Sequence, residues 1–534
     1  MRGCLSSYRF SSLLYLRRSF CSYTMTTRTY QDAIDLLNTL QTNAAALEAV
    51  RAAGSRLNPN AIPEMIEFLE RIEYTCEDLN DLNVIHITGT KGKGSASAFT
   101  DSILRHVKPN WKVGLYTSPH LVAVRERIRI GGKPLTEEAF TKYFFEVWDR
   151  LQKNGPRTPD FPVMPNYFRY LTLMAYHTFM SEKVDATILE VGIGGAGDST
   201  NTVPKPIVTG VTALGLDHTA VLGKTIDAIA WQKGGIYKKA VPALSVNQPE
   251  EGMKVLKERA EELQASYFLE VPSLPGAGSV KLGLAGEHQI QNAALAVQMA
   301  HIFLHSQDNM ESHPELLSQL PPSFVTGLEN AKWPGRCQTV PDPHYQDTTW
   351  YLDGAHTSES LSCCMQWFVQ PGIGLPEGPE GRQTRVLVFN CTSGRSGPAF
   401  LGTILEKTKE LLLRHSNDEK AEYFFDQVIF CSNVTYADGH FKGDLTSRAM
   451  STADLVHLKT QHELANAWSQ LVPTFPAAAV HVLPSIEHAI QTVHGLSKPS
   501  QKTSVLVTGS LHLVGGIIEV AGLSSVALEG LQSV

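Results

Sequence analysis

Between Val84 and Ser95 the chain reads V-I-H-I-T-G-T-K-G-K-G-S, and no other stretch limits its fold as tightly. Val84 to Ile87 has the β-branched, apolar character of a buried strand, which stops in alternating glycines and lysines; helical spacing then runs from Ser95 to about His106. Strand, glycine-rich turn and helix in that order form a phosphate cradle, because glycines let backbone N–H groups approach an anion and the helix N-terminus adds its dipole. Gly89, Thr90, Lys91, Gly92, Gly94 and Ser95 would make the cradle, with Lys93 supplying charge. The match to the general phosphate-loop pattern is loose: Ile87 stands where its first glycine is usual, and Gly94 where Ser or Thr is usual. A loop that merely turns a strand into a helix is the plain alternative.

A length of 534 residues exceeds one ordinary core, so two domains with added segments are expected. The hydrophobic residues are dispersed. Even Val505 to Leu523 is interrupted by Thr508, His512, four glycines and Glu519, which argues against a transmembrane helix. A net charge of −7 argues against a nucleic-acid surface and leaves room for the local basic cleft that an anionic ligand requires. Eight cysteines without metal-type spacing read as free thiols of a reducing compartment; Cys363 and Cys364 are adjacent in an amphipathic helical pattern. Residues 1–31 contain no Asp or Glu, and Arg2, Arg9, Arg17, Arg18 and Arg28 alternate with Ser, Leu, Phe and Tyr. That is the composition of a mitochondrial transit peptide, or of a disordered basic tail. Initiation at Met25 would omit most of it and leave a cytosolic form.

Asp32 to Ile72 reads as helices, with Leu36, Leu37 and Leu40 on one face and Ile66, Leu69 and Ile72 on another. Lys112 to Tyr116 is the next strand, and Pro119 blocks its continuation, so Ser118 and His120 lie on a turn at its end. Arg125, Arg127 and Arg129, spaced by two, would share one face if extended and could line an anion site; a solvated edge strand is the alternative. Ala186 to Leu189 forms another strand and delivers Glu190 just before V-G-I-G-G-A-G-D-S-T-N. Ligands of open parallel sheets bind at that strand edge. Mg²⁺ takes hard oxygen ligands and shares them with nucleotide phosphates, which makes Glu190 and the Ser118 hydroxyl candidate ligands; an exposed structural Glu is the alternative. Ile207 to Leu214 repeats the pattern and presents Asp217 and His218, the latter a further candidate metal ligand. Lys233 precedes a Gly-Gly break in the following helix, Ala240 to Val246 is strand-like, and a helix from Gly286 to Leu304 opens with His288, Gln289 and Asn292.

Pro321 and Pro322, followed by W-P-G-R, place a domain boundary at 320/321. Beyond it, strand-like runs at Thr349 to Leu352, Val386 to Phe389, Val428 to Cys431 and Val505 to Thr508 alternate with helical stretches, as in a second α/β domain. Its first strand ends in D-G-A-H, putting Asp353 and His356 at a strand end, while 371–382 and 436–450 read as surface insertions. The expected layout is a presequence over 1–31, one α/β domain over 32–320 and another over 321–534.

These motifs, in this order, resemble the folylpolyglutamate synthase family of the ATP-dependent Mur-type ligases. The resemblance rests on H-I-T-G-T-K-G-K-G-S, S-P-H-L-V-A-V-R-E-R-I-R-I, F-R-Y-L-T-L-M-A-Y-H-T-F, I-L-E-V-G-I-G-G, G-L-D-H-T-A-V-L-G, I-A-W-Q-K-G-G-I-Y-K, G-E-H-Q-I-Q-N-A-A-L-A-V, W-P-G-R and Y-L-D-G-A-H, with V-T-G-S-L-H-L-V-G-G near the C-terminus. It implies an N-terminal P-loop NTPase-like parallel-sheet domain and a smaller C-terminal Rossmann-like α/β domain. It implies MgATP-dependent addition of L-glutamate to the γ-carboxylate of tetrahydrofolate and folylpolyglutamates, releasing ADP and phosphate, by a monomer in mitochondrial matrix and cytoplasm. By the same resemblance Lys93 holds the β- and γ-phosphates, Ser118 and Glu190 bind one Mg²⁺, and His218 binds a second. Arg336 and Asp353 contact ATP from the second domain, Asn292 contacts adenine, His356 lies beside the phosphates, and Lys233 is a catalytic lysine open to carbamylation by CO₂ rather than a solvated one. The Ala196-Gly197 pair departs from the family, which usually has bulkier residues there, and Asn390 to Gly397 lacks an expected acidic residue. Dihydrofolate synthase on the same scaffold and a nucleotide-gated binding module are the rival readings.

Overall fold

The computed structural model describes residues 28–41, 58–276, 278–308, 316–377, 383–391, 396–439, 443–445, 457–497 and 501–529. Most of the expected presequence, including Met25, lies outside them, as do parts of the 371–382, 390–397 and 436–450 stretches.

Two sheets organise the chain. The first has eight strands in the order β4-β3-β2-β5-β1-β6-β7-β8. Its centre is β1 (Val84–Thr88), flanked in parallel by β5 (Ala186–Glu190) and β6 (Val208–Val211). Parallel strands β2 (Val113–Tyr116), β7 (Ala243–Ser245) and β8 (Phe268–Glu270) extend it, and β3 (Ile128–Ile130) and β4 (Lys133–Pro134) add an antiparallel edge. Every residue of β1, β2, β5 and β6 is buried, which is why these strands read as unbroken apolar runs rather than as alternation.

Helices cover both faces. On one, helices Lys93–Val107, Gln289–Gln307 and Pro322–Glu329 bury Phe99, Ile103, Leu295, Met299, Phe324 and Leu328 against Ile85 and Ile87. On the other, helices Tyr30–Thr39, Ala61–Arg71, Glu137–Lys153 and Tyr167–Glu182 contribute Leu37, Phe68, Phe144 and Tyr170. Each such side chain is worth about 1.5–3 kcal/mol of transfer free energy, so this double cover fixes which strand ends remain open. Helix Pro322–Glu329 follows the expected boundary at 320/321 and packs in the first core.

The second sheet has the order β13-β12-β11-β14-β10-β9. Strands β10 (Thr348–Leu352), β11 (Thr384–Phe389), β12 (Gln427–Cys431), β13 (Val480–Leu483) and β14 (Thr503–Thr508) run parallel, and β9 (Gln338–Pro341) is an antiparallel edge. The expectation of surface insertions needs correction at two points. Leu375 is buried in the core beneath this sheet, and Leu445 is buried among Leu121, Val122 and Leu513.

Among the described residues no helix is long and apolar enough to cross a membrane, and Cys76, Cys337, Cys363, Cys364 and Cys431 are free thiols.

Candidate active site

The C-terminal ends of β1, β5 and β6 point the same way, and the order β5-β1-β6 reverses direction around the first strand, where an open α/β sheet leaves a crevice. β1 hands over to the loop at Gly89. Thr90 and Lys91 both donate their N–H groups to Ala213 O, which ties the loop to the segment after β6. Gly92 has φ +90°, a left-handed conformation open to glycine, and starts the helix Lys93–Val107. A Cβ on Gly92 would collide with Asn292 Oδ1. Asn292 is itself buried and donates from Nδ2 to Gln289 Oε1, while Gln289 Nε2 reaches Ser95 Oγ at 3.3 Å.

Lys93 and Lys233 both donate to Gly89 O, at 3.0 and 2.7 Å. Lys233 is only 3% exposed, on the helix Ile226–Gly234. Burial first, and then the positive charge of Lys93, push its amine well below the usual lysine range. A buried lysine sharing one carbonyl with another lysine is no solvated surface residue. Glu190 ends β5, 4% exposed, and accepts the Ser118 N–H at 2.9 Å. Burial raises its carboxyl pKa and nearby Lys93 opposes that. His218 sits at φ +50° just before the short helix Thr219–Leu222, with its N–H on Asp217 Oδ1. Asp217 Oδ2 pairs with Lys91 Nζ at 3.0 Å and approaches His356 Nε2 to 3.9 Å. Burial alone would raise the Asp217 carboxyl; Lys91 and His218 outweigh it and hold the group well below the usual carboxylate range.

From the second sheet, the end of β10 presents Asp353, whose two oxygens accept the N–H groups of Cys337 and Ala355 at 2.8 and 2.9 Å. This fixes the loop that carries His356 and the segment that carries Arg336. One cavity of about 770 Å³ is lined by Thr90 to Ser95, Ser118, Glu190, His218, Asn292, Arg336, Asp353 and His356. Gly89 and Lys233 lie behind this wall.

One expectation changes. Arg125, Arg127 and Arg129 neither share a face nor form a solvated edge. The Glu126 carboxylate accepts the N–H groups of Leu121, Val122 and Ala123, which curls Val124–Arg127 into a 3₁₀ turn. Arg127 alone of the three lines the cavity, with Nε on His120 Nδ1 at 3.0 Å. Arg129 is buried over the Trp333 ring, and Arg125 donates to Leu135 O. Sequence reasoning gave no role to Asp198, Gln289, Phe168 or Cys364, all of which line the cavity. Asp198 was signalled only by its place after four glycines.

Among the described residues no three His, Cys, Asp or Glu side chains converge closely enough to hold a metal by themselves. A single buried carboxylate beside a serine in a phosphate-loop cavity still suits Mg²⁺, which keeps waters and borrows ligands from substrate phosphates.

No protein-family model matches the chain. The folylpolyglutamate synthase of Saccharomyces cerevisiae strain FostersO is 44% identical over 505 residues, covering 93% of this chain and 87% of its own. The chain belongs to the folylpolyglutamate synthase family. Two solved structures of this type share its fold. Mycobacterium tuberculosis folylpolyglutamate synthase complexed with ADP and AMPPCP superposes with a TM-score of 0.64 at 22% identity, over 90% of this chain and 98% of that one. E. coli FolC in complex with DHPP and ADP gives 0.62 at 21% identity, over 93% and 98%. The phosphate loop, the strand-end carboxylate and the second-sheet loop thus meet on a folylpolyglutamate synthase scaffold.

Proposed function

We propose that the chain joins L-glutamate to the γ-carboxylate of tetrahydrofolate or of a folylpolyglutamate at the expense of ATP. The observation that carries this reading is the single cavity that gathers Lys93, Glu190, Arg336, Asp353 and His356 from two sheets. A carboxylate is a poor electrophile. Transfer of the γ-phosphoryl group of ATP to a folate carboxylate oxygen gives an acyl phosphate and ADP; the glutamate amine then attacks the carbonyl carbon, phosphate leaves, and the amine loses a proton. Lys93 and the N–H groups of Gly92 to Ser95 hold the β- and γ-phosphates, and Arg336 brings charge from the opposite wall, which His356 also lines. Ser118 and Glu190 would hold one Mg²⁺ and His218 a second, and bound ions would neutralise charge on the transferred phosphoryl group. A cavity lined from both units excludes water from the reactive mixed anhydride when it is filled.

Phosphate release measured with folate, glutamate and dihydropteroate omitted or exchanged in turn tests the reading. A folylpolyglutamate ligase requires both a folate and glutamate, whereas a dihydrofolate synthase turns over with dihydropteroate; a gated binding module requires neither co-substrate. Lys93→Ala should cost turnover about a hundredfold or more while leaving the fold intact. The basic, acid-free N-terminus supports a mitochondrial form from Met1 and a cytosolic one from Met25, and imaging each form separately tests that proposal.

A further inference from the structure

One buried polar chain is left unused by this chemistry. His86 lies in the middle of β1, wholly buried, on the sheet face opposite Ile85 and Ile87. Its Nε2 is 2.8 Å from Thr200 Oγ1, and Thr200 Oγ1 is 2.6 Å from Asp198 Oδ1. Asp198 also accepts the Thr200 N–H on Oδ1 and the Gly192 and Ile193 N–H groups on Oδ2. Its carboxylate therefore pins the glycine-rich loop after β5; Gly192, Ile193, Gly194, Gly195 and Gly197 of that loop line the cavity, and Gly194 O accepts the Thr88 hydroxyl at 2.6 Å just before the phosphate loop.

The directions of these bonds follow from the donors. A carboxylate accepting four bonds offers no proton, so the Thr200 hydroxyl must donate to it. The Thr200 oxygen is then an acceptor, and the proton of His86 must sit on Nε2. His86 Nδ1 is buried without a partner, which suits the bare nitrogen of that tautomer. Burial holds the imidazole neutral by pushing its pKa down to about 3.

We infer that His86 is a positioning residue for the cavity wall: through Thr200 it fixes the Asp198 carboxylate, and through Asp198 the glycine-rich loop that lines the cavity beside the phosphate cradle. This rests on the folate ligase reading above. Since only the Nε2–H matters, an amide that puts a donor at the same distance along the side chain should replace it. His86→Leu and Thr200→Val should each lower kcat/KM for phosphate release dependent on folate and glutamate about tenfold, the effect of one buried hydrogen bond. His86→Gln should restore kcat/KM to within about threefold of the parent.

Long-range ¹⁵N–¹H spectra of ¹⁵N-histidine-labelled protein, with His86 assigned by its loss in His86→Gln, read the tautomer directly and need no activity. The Nε2–H form is expected. An Nδ1–H form, an unchanged kcat/KM in folded Thr200→Val, or a His86→Gln variant as impaired as His86→Leu would each overturn the inference. A parent that shows the Nε2–H form yet never consumes folate would sink the ligase reading and leave the relay standing.

Discussion

Lys233 shows most clearly what a single side chain adds. Carbamylation requires the neutral amine, and burial beside Lys93 favours that form well below the ordinary lysine pKa. Lys233 is accordingly expected to take up CO₂, forming an N–C bond and releasing a proton. ¹³C-bicarbonate should give a carbamate NMR signal absent from Lys233→Ala, and that variant should be nearly inactive and partly rescued by a short-chain carboxylate. Full activity of the variant with no signal in the parent would refute this. His86 predicts a pH effect of known sign. Its folded pKa of about 3 lies below the unfolded value of about 6.5, so the unfolded chain binds more protons between those limits and the fold loses stability as pH falls through them. Urea unfolding at pH 6, 5 and 4 should show the stability difference between parent and His86→Gln shrinking by about 1.4 kcal/mol per unit of acidification. At this scale the sequence was readable where chemistry and position coincided. Glu190 stood out because a carboxylate rarely ends an apolar run without a purpose. Asp198 did not, since its four donors are backbone and hydroxyl groups brought in by the fold. The three arginines misled because alternation implied extension, while Glu126 curls the turn through contacts invisible in spacing.

The element that matters most is β1 with its loop and helix. Gly92→Ala would place a methyl group on a left-handed residue and against Asn292 Oδ1, so both backbone strain and the packing of Asn292 against the phosphate loop are affected. The strain alone is about 1–2 kcal/mol. KM for ATP should rise at least tenfold and the melting temperature should fall by a few degrees; a parent-like KM would show that the loop relaxes without consequence. This element was legible almost residue by residue, because a fully buried parallel strand leaves a continuous apolar run and a cradle leaves glycines. The edges were not. Phe268–Glu270, Gln338–Pro341 and Val480–Leu483 carry polar or half-buried residues, and short strands of that kind are decided by the neighbour they pair with rather than by their own composition.

Across the whole molecule, the link between the two units is not confined to the cavity. Tyr30 OH donates to both carboxylate oxygens of Asp444 at 3.0 and 2.9 Å, and Asn38 Nδ2 donates to Gly443 O at 3.1 Å. The His120 imidazole meets Asp444 O, so the first helix and the turn that carries Ser118 grip the same point of the second unit. Tyr30→Phe removes a hydrogen bond to a charged acceptor and should lower stability by about 1.5–3 kcal/mol in thermal or urea unfolding, while Lys93-dependent phosphate chemistry persists. No sequence pattern pointed to residues 443–445, whose contacts lie some four hundred positions away in the chain. The same grip bears on the proposed presequence. Thr29 caps the first helix in a reciprocal box with Asp32, one residue before the tyrosine that reaches across. Under the proposed mitochondrial processing, cleavage ahead of Thr29 would keep this clasp, while loss of one further turn would remove Tyr30 and leave His120 holding Asp444.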